Sequence, residues 1–153
     1  MIDTPSILEI PVQPTAMIYL KVPRDNMEHV MGPAIQEVYQ ALLAQEIRPR
    51  GSWFTHHIKM DPAIFEFEVC VPINERLEPI GRVVPGLRRA ATVAQTTYHG
   101  GYEGLGDAWE AFMAWIQTNG KVPAPDLWEC YVLGPDSSPD PINWQTQLIR
   151  PLI

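Results

Sequence analysis

Two stretches of this chain, 74 residues apart, carry one pattern, and any fold has to accommodate both. A shift of 74 positions lays Pro49 on Pro123, Gly32 on Gly106, Ala34 on Ala108, Val38 on Phe112, Leu42 on Ile116 and Phe54 on Trp128. Further on the shift becomes 79, and Phe65 meets Trp144, Val69 meets Leu148 and Pro72 meets Pro151. The larger shift reflects a longer loop in the second copy. Self-similarity of this kind marks one supersecondary unit used twice.

The unit can be read element by element. Ile7 to Val22 is extended, because its apolar residues are interrupted by Pro11 and Pro14, which a helix interior does not tolerate. It reads as a single strand bent at the prolines. From Asn26 to about Gln45, apolar residues at Val30, Ala34, Val38, Ala41 and Leu42 have helical spacing, with Asp25 or Asn26 as N-cap and Pro33 as a marker of the helix start. Trp53 to Met60 and Ala63 to Ile73 form a hairpin across the Asp61-Pro62 turn, and in its second strand Phe65, Phe67, Val69 and Val71 alternate with Glu66, Glu68 and Cys70. Asn74 to Gly86 reads as a linker.

The same order then returns. Arg89 to Tyr98 is strand-like, and Tyr102 to Asn119 is a helix through Leu105, Ala108, Phe112, Trp115 and Ile116, with Gly120 as its C-terminal cap. Leu127 to Leu133 and Trp144 to Ile149 are two strands joined by the loop 134–141. The expected fold is α+β: tandem β-α-β-β units in one mainly antiparallel sheet, with two main helices on one face. A central ligand cleft is expected near the pseudo-two-fold axis. Residues 1–153 form a single domain, with repeat 1 at about 1–74, a linker at about 75–86 and repeat 2 at about 87–153.

Charge and composition narrow the function. The net charge of −7 and the absence of a Lys/Arg cluster argue against direct contact with nucleic acid, because phosphates require clustered cations. No stretch approaches the roughly 20 apolar residues of a membrane span, and the N-terminus has no signal-like pattern. A cytoplasmic location with Cys70 and Cys130 as reduced thiols follows as the expectation. His56 and His57 point to opposite faces of a strand, His29 and His99 lie in other segments, and neither His-x-x-x-His nor Cys-x-x-Cys occurs, so no metal site is expected. His99 is read as ordering its turn. No phosphate loop or dinucleotide fingerprint is present, and no cofactor is expected.

Several segments together resemble a known family. They are Glu68-Val69-Cys70-Val71-Pro72 at a strand end, the turn His99-Gly100-Gly101-Tyr102-Glu103-Gly104-Leu105, the strand Trp128-Glu129-Cys130-Tyr131 followed by Pro135, and the ending Trp144 to Leu152. The chain resembles the GyrI-like small-molecule-binding superfamily, which also supplies the effector-binding domain of AraC-type and MerR-type multidrug regulators. It reads as a standalone form, without the helix-turn-helix domain of such regulators. The resemblance implies paired β-α-β-β units and an aromatic cleft whose buried acid meets the ligand, which by position corresponds to Glu129. Other standalone members are sequestering or partner-binding proteins, and some hydrolyse strained cyclopropane-bearing electrophiles.

Glu129 lies mid-strand, an unusual place for a solvated carboxylate. Facing an apolar cleft, it would lose hydration, which favours its neutral form, and could pair with a cation or act as an acid or base. The plainer alternative is a solvated strand carboxylate. Tyr131 shares its strand face and could line the same cleft, or be a core tyrosine with its hydroxyl at the rim. Phe65 and Trp144, equivalent in the repeat, either border the cleft or pack beneath the helices. Glu66 and Glu68 share the opposite face from Phe65; Glu68, in the strand-end motif, is the better site candidate of the two. Trp109, Phe112 and Trp115 fall at helix spacing and are read as core.

Three functions share this cleft. The first is a small-molecule binder that takes a lipophilic, aromatic or cationic compound on Glu129, for sequestration or for sensing through a protein partner. The second is a hydrolase of cyclopropane-bearing or other electrophilic xenobiotics, with Glu129 activating water. The third is a protein-interaction or inhibitor module acting through acidic surface.

Overall fold

The computed structural model describes residues 1–60 and 62–153, with residues 27, 28 and 60 described by backbone alone. Asp61, of the expected Asp61-Pro62 turn, lies outside the described residues. The chain divides into two units, one of residues 11–90 and one of residues 1–10 with 91–153. The boundary near residue 10 corrects the first expected strand, which is two: β1 (Ser6–Ile10) and β2 (Gln13–Pro23). Pro11 stands between them without an N–H to donate to a ladder, and the two strands join different units.

In the unit of residues 11–90, α1 (Met27–Ala44) connects β2 to β3 (Phe54–Met60), which turns back into β4 (Ile64–Pro72). A further strand, β5 (Val84–Arg88), begins inside the expected linker. The antiparallel order is β3-β4-β2-β5. Helix α1 buries Ala34, Ile35, Val38, Ala41 and Leu42 against Ile18, Leu20, Phe67, Val69 and Val71. Each such large side chain contributes about 1.5–3 kcal/mol on leaving water. Pro33 lies inside the helix and does not mark its start. A 3-10 turn, Arg24–Asn26, leads directly into Met27, and the packed face carries the helix through the hydrogen bond that proline lacks.

The other unit repeats the plan. Strand β6 (Ala91–His99) leads through a 3-10 turn, Tyr102–Gly104, into α2 (Leu105–Thr118), followed by β7 (Leu127–Leu133) and β8 (Gln145–Pro151). The antiparallel order is β1-β6-β8-β7. In each unit, then, a fourth strand adds to the first strand of the β-α-β-β motif: β5 on β2, and β1 on β6. Many of the repeat matches are core positions, with Ala34 and Ala108, Val38 and Phe112, Leu42 and Ile116, Phe54 and Trp128, and Val69 and Leu148 all buried. Helix α2 closes as expected at Gly120, which has φ +69° and donates to the Gln117 carbonyl, while Lys121 N–H reaches back to Ile116. The α+β class and the duplicated order are those expected from sequence.

Candidate functional site

The site grows from β7. Trp128 and Glu129 are neighbours on opposite faces of the strand, and both are buried. Glu129 sits opposite Leu148 of β8, a residue of the core beneath α2, so its carboxylate lies on the helix-covered face. Two donors reach it there. The Trp109 indole N–H, from α2, donates to Oε2 at 2.6 Å, and the Tyr131 hydroxyl, two residues along the strand, donates to Oε1 at 2.8 Å. Glu129 is 9% exposed, and both donors are neutral. They fix the carboxylate in place, and a charge buried at this depth needs such hydrogen bonds to be tolerated.

Aromatic rings bound this group. Tyr102 lies edge-on to Tyr131 at 6.0 Å between centroids and tilted against Trp144 at 4.9 Å. Trp109 in turn leans on Phe112 at 5.6 Å. The turn carrying Tyr102 is pinned from below, where the Tyr98 hydroxyl donates to the Gly101 carbonyl at 2.8 Å. A side chain at Gly104 would collide with that hydroxyl, so the close approach requires glycine. Gly100 N–H binds the Trp144 carbonyl at 3.1 Å, and the Trp144 indole donates to the Ser138 carbonyl at 2.9 Å. Burial first, then the charges of Asp136 and Glu129, push the Tyr102 phenol above the ordinary tyrosine value, so it keeps its proton at neutral pH.

Glu129, Tyr131 and Trp144 are thus gathered in one unit. Phe65 and Glu68 belong to the other unit, on opposite faces of β4. Phe65 packs toward the α1 core with the His57 ring edge-on at 6.5 Å and the Arg24 guanidinium over it at 5.6 Å. Glu68 pairs with His56 at 2.8 Å, both about one-fifth exposed, and its neighbour Glu66 accepts from Tyr19 at 2.6 Å. His99 binds Asp3 at 3.0 Å beside its turn. Cys70 is a free thiol pushed well up by burial, with the Glu68 charge adding. Among the described residues no three His, Cys, Asp or Glu side chains gather as metal ligands, and no helix is long and apolar enough to cross a membrane.

Two members of the cluster escaped the sequence reading. Trp109 was assigned to the core by its helical spacing, and it does pack there, but its N–H also needs an acceptor when half-buried. A tryptophan on a packed helix face opposite a mid-strand carboxylate is the signal that would have joined them. Tyr102 was visible only as part of a turn motif.

The geometry on β7, β8 and α2 sits in a recognisable frame. A family model for the GyrI-like small molecule binding domain matches residues 3–153. The chain belongs to that family. A comparison with curated proteins gives no match. Among solved structures, the crystal structure of the EcmrR C-terminal domain superposes with TM-score 0.86 at 21% identity, over 98% of this chain and 97% of that one. EcmrR in its complex with DNA gives TM-score 0.84 at 21% identity over 97% of this chain, which spans 57% of the EcmrR chain. SAV2435 bound to tetraphenylphosphonium gives TM-score 0.68 at 12% identity, covering 99% of this chain and 94% of that one. A hydrolase from Listeria innocua gives 0.66 at 14%, covering 97% and 91%. Identities this low establish a shared fold for this GyrI-like chain.

Proposed function

We propose that this GyrI-like domain binds a lipophilic cation at the Glu129 cluster, for sequestration or for sensing through a protein partner in the cytoplasm. The observation that carries the reading is the carboxylate of Glu129, buried and oriented by Trp109 and Tyr131, with the Tyr102 ring packed against Tyr131 and Trp144. Ring faces attract cations, and a poorly solvated carboxylate strengthens that preference. Tetraphenylphosphonium on SAV2435 is a ligand of the same chemistry on a related fold.

Glu129→Gln tests it. The glutamine oxygen still accepts from Trp109, and the Tyr131 hydroxyl can reverse and accept from the amide, so the side-chain volume and contacts survive while the charge is lost. Titration calorimetry is expected to show tetraphenylphosphonium weakened by about 1–3 kcal/mol, with a neutral triaryl compound of similar size little changed. Equal losses for both compounds would remove the charge from the account.

A second reading rests on the Tyr131–Glu129 hydrogen bond, a phenol and a carboxylate placed to exchange a proton, and on the likeness to a hydrolase. In that reading Glu129 activates water against a strained or ester electrophile. Removing such a group costs about 10²- to 10⁴-fold in rate. Mass spectrometry of a panel of cyclopropane- and ester-bearing compounds, with wild type and Glu129→Gln compared, separates the two. Multiple turnovers abolished by the substitution favour the hydrolase, and binding without turnover favours the cation receptor.

A further inference from the structure

At the floor of the same cluster lies a hydroxyl without a partner. Thr146 of β8 is 0% exposed, and its Oγ1 has no hydrogen-bond partner among the described residues. Its register places it at the centre of the aromatic group. Thr146 stands directly opposite Tyr131 of β7 on one side and opposite Tyr98 of β6 on the other, and directly opposed residues share a sheet face. Along β8 itself, Leu148 lies two residues further on the same face, and Trp144 immediately precedes the strand. Tyr102 spans two of these neighbours, Tyr131 and Trp144, and is 37% exposed.

The surrounding side-chain donors are already committed. Trp109 and Tyr131 give their protons to Glu129, and Tyr98 gives its proton to the Gly101 carbonyl. A buried hydroxyl that donates nothing is unfavourable, and valine would fill the same position in a strand without that cost. We propose that Thr146 is a specificity-determining residue whose hydroxyl donates to an acceptor oxygen of the ligand, so that the site selects lipophilic cations carrying an ether, ketone or hydroxyl oxygen over purely hydrocarbon ones. Displacement of the half-exposed Tyr102 ring gives the ligand its way to Thr146. This rests on the cation-binding reading: Glu129 holds the charge, and Thr146 reads the oxygen.

The test compares tetraphenylphosphonium with a set of aryl phosphonium cations bearing one ether, ketone or hydroxyl oxygen at different ring positions. Titration uses the full chain as wild type, Thr146→Val, Thr146→Ser and Glu129→Gln. At least one oxygen-bearing cation should bind wild type about 3- to 10-fold tighter than the parent. That gain should vanish in Thr146→Val and persist in Thr146→Ser, while the parent binds both variants within about twofold of wild type, as expected where no hydrogen bond is lost. A gain that survives Thr146→Val, or no gain with any member, overturns the assignment. Equal loss of parent and derivatives in Thr146→Val, or a lowered thermal midpoint with no change in selectivity, means that the hydroxyl serves the fold through a fixed water, and also overturns it. The parent cation on Glu129→Gln reports separately on the charge. If the parent does not bind wild type at all, the cation reading and the Thr146 assignment fall together; if it binds through Glu129 without oxygen selectivity, only the latter falls.

Discussion

The two units place different chemistry at matching positions. The shift of 74 that lays Phe54 on Trp128 also lays Thr55 on Glu129 and His57 on Tyr131. Both pairs are hydrogen-bonded across two residues of one strand, Thr55 to the His57 ring at 2.9 Å and Tyr131 to Glu129 at 2.8 Å. In residues 11–90 the pair is buried among apolar rings, with His57 stacked on Phe67 at 5.7 Å. In the other unit a carboxylate takes the equivalent position and draws a second donor from its helix. That donor, Trp109, corresponds under the same shift to Ile35, an apolar residue of the α1 core. The frame therefore does not demand a charge at this position. One unit fills it with a threonine–histidine pair, and the other with a carboxylate held by two hydrogen-bond donors, as a buried charge requires.

If the frame is common and only the filling differs, truncating the core should damage each unit in proportion to what it holds. Phe112 and Val38 are equivalent and wholly buried. Phe112→Ala is expected to lose about 3–5 kcal/mol by urea denaturation, and Val38→Ala clearly less, since it removes fewer buried carbons. Similar losses at both positions would mean that the two cores are not packed alike.

The common frame was legible in the sequence because it depends on local periodicity. Val38, Leu42, Phe112 and Ile116 recur at helical spacing, and the alternation from Phe65 to Val71 shows which face of β4 is buried. The placement of β1 and β5 was not legible. Their partners lie far away in sequence, with Ser6 opposite Gln95 and Gln13 opposite Arg88, and alternation within a strand does not name the strand beside it. The site was half legible. Glu129 and Tyr131 share a strand and follow the period-two rule, whereas Trp109 looks the same whether its indole N–H meets a carboxylate or not. Thr146 gave no sign, because a threonine in a strand is ordinary until its hydroxyl is seen to lack a partner.

The contrast between Trp109 and Ile35 gives a sharper test. Trp109→Phe keeps a ring on the α2 face but removes the donor to Oε2 of Glu129, and is expected to cost about 1–3 kcal/mol, the range for a buried charged acceptor that loses a hydrogen bond. Ile35→Val, with no polar group involved, should cost about 0.5–1.5 kcal/mol. Chemical denaturation of the two variants side by side measures the difference. If Trp109→Phe cost no more than Ile35→Val, the indole N–H would be incidental to holding the carboxylate.

The smallest expected effect concerns how the two helices end. Both close with the same pair of backbone bonds: Ile47 N–H to the Leu42 carbonyl and Glu46 N–H to Leu43 after α1, and Lys121 N–H to Ile116 and Gly120 N–H to Gln117 after α2. This closure puts the residue just past the cap in the left-handed region, and the shift of 74 lays Glu46, at φ +57°, on Gly120, at φ +69°. Only one unit has the residue that adopts this conformation freely. A side chain there crowds the following carbonyl at a cost of about 1–2 kcal/mol, while glycine gives back about 0.5–1 kcal/mol through the freedom it gains in the unfolded chain. Glu46→Gly should therefore stabilise the protein by about 0.5 kcal/mol, and Gly120→Ala should destabilise it by a similar amount, both read as shifts in the urea midpoint at unchanged slope. Ile47, which follows, is buried in the α1 core, where the other unit has exposed Lys121. Glu46→Gly combined with Ile47→Lys should then be less stable than Glu46→Gly alone. A double variant as stable as the single one would show that the apolar contact contributes nothing to closing α1.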